Sequence, residues 1–241
     1  MTATVEIIPI LEDNYCYILQ DSATQKTAVI DPGEAEPVIA YLEGRDITPD
    51  FILNTHYHWD HTDGNAAIKK QFGCKIIGPT YEAAKIPGID QTLRDGDIFQ
   101  CGDIDISVKL TPGHTRGHIC FYLPQDHILF SGDTLFSMGT GRLFEGSAEQ
   151  MFEGLCWIKS LPPETMIYAG HEYTLDNAAF CLSIEPDNAA LIKRGEQAHA
   201  LRAQDKPTLP VSLATELETN AMLRASTAAQ YADLRTKKDH F

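Results

Sequence analysis

The chain has 241 residues, 43% of them hydrophobic and 22% charged, with a formal net charge of −15. Length and apolar content suffice for a sizeable core. The negative charge argues against nucleic acid or an anionic membrane surface as the main partner. No apolar run approaches the roughly 18 residues of a transmembrane helix, and the opening MTATVEIIPILEDNY lacks the basic and long apolar regions of a secretory signal. The six cysteines form no C-x-x-C pair. Their spacing suggests no disulfide framework, several read as small buried hydrophobes, and reduced thiols fit the cytoplasm.

Taken in chain order, short apolar and β-branched runs predict strands at 4–10, 15–20, 27–31, 50–54, 75–78, 104–110, 118–123, 127–131 and 166–169. Helix-like periodicity lies between some of them, at 34–43, 63–72 and 147–160. Gly-Asp, Pro-Gly and Asp-Gly steps mark turns at 32–33, 95–97, 102–103 and 112–113. Strands interspersed with helices point to an α/β chain of sheets covered by helices. After Gly170 the texture changes. Residues 172–204 and 212–236 are rich in Ala, Leu, Glu, Gln and Arg, with Pro207 and Pro210 breaking the middle. Two domains are expected, 1–171 and a smaller helical one at 172–241.

The strongest chemical signal is Thr55-His56-Tyr57-His58-Trp59-Asp60-His61, directly after the apolar run Phe51-Ile52-Leu53. In extended chain His56 and His58 fall on one side and can share a metal. Asp60 and His61 follow as the chain turns and can face a second one. Imidazole and carboxylate are usual zinc ligands, and imidazole also suits iron. Three further strand exits carry a ligand-type residue after small ones: Thr111-Pro112-Gly113-His114, Ser131-Gly132-Asp133-Thr134 and Ala169-Gly170-His171-Glu172. Small residues let the backbone crowd a metal cluster.

With T-H-x-H-x-D-H, P-G-H-T, G-D-T and G-H-E-Y, the chain resembles the metallo-β-lactamase superfamily. More narrowly it resembles the glyoxalase II family of hydroxyacylglutathione hydrolases. That narrower likeness rests on Asp13-Asn14-Tyr15, Asp31-Pro32-Gly33, Gly141-Arg142-Leu143-Phe144-Glu145-Gly146 and the closing Leu234-Arg235-Thr236-Lys237-Lys238-Asp239-His240-Phe241. The resemblance implies a four-layer αββα sandwich with metals at one edge of the sheets, followed by a small helical domain. It implies that His56, His58 and His114 hold one divalent ion, that Asp60, His61 and His171 hold another, and that Asp133 bridges them. Zinc is the expected metal, with iron or manganese also suited. Such a pair lowers the pKa of a bridging water, and the resulting hydroxide attacks the thioester carbonyl. Asp60 is then a ligand first and a proton acceptor second.

The implied reaction converts S-(2-hydroxyacyl)glutathione, typically S-D-lactoylglutathione, to glutathione and a 2-hydroxy acid, in methylglyoxal detoxification. The resemblance places the peptide end of the substrate against Arg142, Phe144, Tyr173, Arg235 and Lys238. Arg235 and Lys238 are three apart and so share a helix face. Phe144 replaces the Tyr of some family members, and Asp63-Gly64 stands where Gly-Gly is common. His118 reads either as a partner orienting a ligand or as a core histidine. The implied protein is a cytoplasmic monomer. The alternatives are a persulfide dioxygenase or another hydrolase of the same fold. The full set of seven ligand-type residues argues against the first, and the match at the glutathione-contact positions argues against the second.

Overall fold

Strand β1 (Ala3–Ile10) pairs antiparallel with β2 (Asn14–Asp21), and β2 pairs antiparallel with β3 (Thr27–Ile30). Helix α1 (Glu36–Glu43) carries the chain to β4 (Phe51–Leu53). From there α2 (Trp59–Thr62) and α3 (Asn65–Phe72) lead to β5 (Lys75–Pro79). A 3-10 turn at Thr80–Lys85 precedes β6 (Gln91–Leu93). The β3-β4-β5-β6 half of this six-stranded sheet is parallel. Parallel strands are covered on both faces, and accordingly β3 is buried at all four positions and β4 at Ile52 and Leu53. Edge strand β1 alternates instead. Ile18, Val29, Ile52 and Ile76 of the sheet pack with Val38 and Leu42 of α1 and Ile68 of α3 into one core. A second antiparallel ladder joins β7 (Ile98–Cys101), β8 (Ile104–Leu110) and β9 (Ile119–Leu123).

The structure, a computed structural model, describes residues 3–241. The first two residues of the expected first domain lie outside the described residues. Contacts divide the chain into two compact units. The elements above belong to the first, residues 1–110 with 117–127. The second holds 111–116 and 128–241. In it β10 (Ile128–Gly132) and β13 (Met166–Ala169) run parallel, and β14 (Val211–Ser212) pairs antiparallel with β13. A short hairpin, β11 (Leu135–Phe136) and β12 (Gly139–Thr140), leaves β10. Helix α4 (Ala148–Lys159) opens on a capping box, in which Ser147 and Gln150 satisfy each other's backbone N–H.

The C-terminal stretch is helical, as its composition suggests, in four pieces: α5 (Thr174–Ile184), α6 (Ala189–Arg202), α7 (Leu213–Thr219) and α8 (Ala228–Asp239). The helix-favouring stretch 172–204 is broken after Ile184. Pro186 bars its predecessor from the α region, and Glu185 sits at φ −131, ψ 67. The chain restarts at Asn188, whose side chain accepts from Leu191 N. Among the described residues, no helix is long and apolar enough to cross a membrane. Cys16, Cys101 and Cys181 are buried. Burial pushes the Cys101 thiol up to about 12 and the Cys181 thiol up to about 11, so both behave as inert core groups.

Candidate metal centre

In the first unit the ligand-type residues follow the C-terminal end of β4, beside the end of β3. Asp31 leaves β3 with φ 50 and turns its carboxylate onto the next exit. It accepts from Thr55 N at 2.7 Å and Thr55 Oγ1 at 2.6 Å, and it lies 3.2 Å from His61 Nδ1. These contacts order the protons. The hydroxyl of Thr55 gives its proton to the carboxylate, so toward His56 Nδ1, 3.0 Å away, Thr55 Oγ1 can only accept. His56 therefore carries its proton on Nδ1 and presents the lone pair of Nε2. A negative carboxylate beside Nδ1 favours the His61 proton on that nitrogen, and Nε2 lies 3.6 Å from Asp60 Oδ2. Fixing a tautomer through the distal nitrogen is how metal-ligating histidines are prepared.

His56 Nε2 and His58 Nδ1 stand 3.1 Å apart. Metal–nitrogen bonds of about 2.0–2.1 Å at a tetrahedral angle put two donors about 3.3 Å apart, so this spacing fits a shared ion. Asn14 Nδ2 donates to Asp60 Oδ2 at 3.1 Å and to Asp60 O at 3.2 Å, which fixes the carboxylate. Gly33 allows the approach: a Cβ there would collide with the backbone carbonyl of Asp60. His118 is fully buried and stacks on His56 with ring centroids 4.8 Å apart. Both of its sequence readings, partner of a ligand-type residue and core histidine, fit this placement. Buried Glu82 accepts from Tyr57 N at 2.9 Å and Gly117 N at 2.8 Å, tying the histidine-bearing segment to the approach to β9.

The second unit gathers the other three. Asp133 follows β10, and its Oδ2 lies 3.3 Å from His114 Nε2 and 3.4 Å from His171 Nε2. His114 Nδ1 faces the Arg142 carbonyl at 2.9 Å. A carbonyl only accepts, so the His114 proton sits on Nδ1 and its Nε2 lone pair faces Asp133. His171 stacks flat on Tyr173, 4.6 Å between centroids at 8°, and meets the edge of Phe136 at 5.7 Å. Gly141 is needed here, because a Cβ would strike the Asp133 carbonyl. The donors of each unit, imidazole nitrogens and carboxylate oxygens, are of the chemistry that holds a divalent ion. The spacings fit divalent zinc, iron or manganese.

The expected substrate contacts divide into two kinds. Arg142, Phe144 and Tyr173 lie directly beside ligand-type residues. Arg142 is 67% exposed at its side chain, Phe144 is 62% exposed with its ring 5.2 Å from that of His114, and Tyr173 covers His171. Arg235 is only 5% exposed. Its guanidinium donates to Thr140 O at 2.7 Å and to Asp239 Oδ1 at 2.8 Å, and the same Asp239 oxygen lies 3.8 Å from Arg142 Nε. Lys238 donates to Asp176 O at 3.0 Å, above the rings of Phe180 and Phe241. Burial pulls its ammonium below the usual lysine range, against the opposing pull of Asp176. Asp63 ends α2 with φ −65, an ordinary cap with no strain.

A family model described as the metallo-beta-lactamase superfamily matches residues 10–171, and one described as the hydroxyacylglutathione hydrolase C-terminus matches residues 172–241. The chain is 45% identical over 254 residues to a hydroxyacylglutathione hydrolase of Rhodospirillum rubrum, a match covering 100% of this chain and 99% of that one. Among solved structures, the B3 metallo-beta-lactamase BLEG-1 superposes with a TM-score of 0.71 at 23% identity, over 92% of this chain and 100% of that one. This bears out the α/β sandwich expected from the sequence. The protein TTHA1623, crystallised in a di-iron-bound form, superposes with a TM-score of 0.60 at 26% identity, over 70% of this chain and 91% of that one.

Proposed function

The chain belongs to the hydroxyacylglutathione hydrolases of the metallo-beta-lactamase superfamily, and from that premise we propose that it hydrolyses S-(2-hydroxyacyl)glutathione thioesters at a two-metal centre. In this reading His56, His58 and His114 hold one ion, Asp60, His61 and His171 hold the other, and Asp133 bridges them. Residues 1–171 supply the centre and residues 172–241 supply most of the grip on the peptide. The protein acts as a cytoplasmic monomer on S-D-lactoylglutathione, in methylglyoxal detoxification.

The observation that carries the reading is Asp133 Oδ2, nearly equidistant from His114 Nε2 and His171 Nε2 at 3.3 and 3.4 Å. One carboxylate oxygen between two histidines assigned to different ions is where a bridge belongs. Divalent ions held there would activate water and stabilise charge growing on the thioester carbonyl oxygen. The chain's own residues do the rest. Asp31 and Thr55 face Nδ1 of His61 and of His56 as acceptors, which leaves the Nε2 lone pairs to a metal ion. Asp60, with one oxygen held by Asn14, is placed to receive a proton. The exposed Arg142 guanidinium offers a bidentate site for a substrate carboxylate, and Phe144 and Tyr173 offer apolar and ring surface. A thiolate leaves readily, so no protein acid is needed at sulfur.

The test is metal analysis of the purified protein together with turnover of S-D-lactoylglutathione, a β-lactam, a lactone and a persulfide under oxygen. About two divalent ions per chain and turnover of the thioester alone support the reading. One iron with persulfide oxidation, or hydrolysis of a β-lactam or lactone in preference to the thioester, overturns it.

A further inference from the structure

Glu216 on α7 is fully buried in the second unit. Its Oε1 accepts from Ser137 Oγ at 3.0 Å, and its Oε2 accepts from Met138 N at 2.8 Å and Asn220 Nδ2 at 3.0 Å. Ser137 and Met138 are the two turn residues of the β11–β12 hairpin. Met138 sits at φ 57, a left-handed conformation that a residue with a Cβ adopts only when its surroundings impose it. Backbone and amide N–H groups can only donate. An apolar residue at 216 would therefore leave the buried Met138 N without its acceptor, while Asn220 Nδ2 keeps Gly139 O at 3.1 Å.

That hairpin and the two residues that follow it touch each ligand-type residue of its unit. Asp133 stands two residues before β11. After β12, Gly141 packs on the Asp133 carbonyl, and Arg142 offers the carbonyl that fixes the His114 tautomer. Phe136 lies against the ring of His171. We propose that Glu216 is a positioning residue of the metal centre: by clamping the Ser137–Met138 turn it sets Asp133, His114 and His171 for metal binding, without touching the metal itself. The inference rests on the ligand assignment of the proposed function. It adds a carboxylate that no strand exit or histidine motif announces.

The zinc-loaded parent is compared with Glu216→Leu, which fills the space without accepting hydrogen bonds, and with Glu216→Gln. The amide of Gln can accept from Met138 N and donate to Ser137 Oγ. The readouts are the melting temperature and the rate at which a chelator strips zinc well below that temperature. Loss of an outer partner of a metal ligand weakens metal binding about 10–100-fold. Zinc should therefore leave Glu216→Leu at least about 10-fold faster, with Glu216→Gln within a few-fold of the parent. Turnover of a small thioester should fall as much as that of the glutathione thioester, because the metal ligands and not the peptide grip are disturbed. A lowered melting temperature with parental zinc release would make Glu216 a purely structural residue and overturn the proposal. Should Glu216→Leu fail to fold, Glu216→Asp carries the test. It keeps the charge but draws the carboxylate back from Met138 N, and parental zinc release in it overturns the proposal equally. Zinc release involves no substrate. A parent protein unable to hydrolyse glutathione thioesters would therefore count against the proposed function and leave this measurement standing.

Discussion

Arg235 donates to the carbonyl oxygen of Thr140 at 2.7 Å, and both residues are buried, at 5% and 4% exposure. An arginine that the sequence suggests as a substrate contact is thus also a strut. It holds the strand that runs into Gly141-Arg142 and, through Asp239, lies one carboxylate away from Arg142. Arg235→Ala should leave the Thr140 oxygen buried without its donor. A hydrogen bond to a charged group is worth about 1.5–3 kcal/mol, which for a chain of this size corresponds to a fall in Tm of roughly 3–12 °C. KM for the glutathione thioester should rise about tenfold alongside it. Arg235→Lys can restore one donor but not the fork to Asp239, so it should recover only part of both losses. Calorimetry beside steady-state kinetics checks this. A raised KM with unchanged Tm would remove the strut and leave a simple substrate contact.

Asp133→Asn keeps the shape of the bridge and removes its charge. Replacing a ligand should exceed the 10–100-fold effect typical of outer partners, so kcat should drop at least about 100-fold with loss of about one metal ion per chain. Elemental analysis of the variant is decisive. Two ions per chain and near-parental kcat would be incompatible with a bridging Asp133.

Asp31→Asn tests the proton ordering. The two carboxylate oxygens of Asp31 face Thr55 N, Thr55 Oγ1 and His61 Nδ1. An amide offers one acceptor and one donor. Either Thr55 N loses its acceptor, or an N–H points at His61 Nδ1 and drives the proton to Nε2, where it blocks metal binding. Metal affinity should fall about 10–100-fold, read as faster release to a chelator, while KM for substrate on the fully loaded enzyme moves little. Unchanged release would mean that His61 keeps its tautomer without Asp31.

The seven ligand-type residues were legible because each is a side chain with its own chemistry, placed by a strand end, and strand ends show in the pattern of apolar runs. The groups that orient them were not. Asp31 reads as a turn residue before Pro32-Gly33, and only the parallel pairing of β3 with β4 brings it onto Thr55. Glu82 sits in a 3-10 turn with no periodicity to mark it. The partner of His114 is a main-chain carbonyl, that of Arg142, which no side chain identity encodes. Strands β6, β7, β11, β12 and β14 are two to four residues long, too short for alternation to register, and they form because neighbours pair with them. Arg235 and Lys238 share a helix face as their spacing implies. What spacing cannot say is that the first turns inward to Thr140 while the second rests on Asp176 O.

Lys238 provides a test on the alkaline side. Burial lowers its pKa, the carboxylate of Asp176 raises it, and the neighbouring Arg235 lowers it again; the net direction is down from the lysine reference of 10.5. A depressed folded-state pKa means that the charged form is relatively disfavoured in the folded protein. Near pH 7 the ammonium is still protonated and able to bind a carboxylate. As pH rises it loses its proton before a free lysine would, whose pKa is about 10.4. The ratio kcat/KM reports groups of the free enzyme. For the glutathione thioester it should therefore be level through neutrality and fall on an alkaline limb lying below the free-lysine value, after correction for spontaneous hydrolysis. The limb should appear in KM rather than kcat, since the peptide end of the substrate does not react. Lys238→Arg keeps the charge across this range and should abolish the limb at some loss of affinity from altered geometry. Lys238→Ala should raise KM about tenfold at pH 7 and also lack the limb. A small thioester without the peptide should show none in any of the three proteins. If parent and Lys238→Arg share the same alkaline limb, the titrating group lies elsewhere and Lys238 serves only to close α8 onto α5.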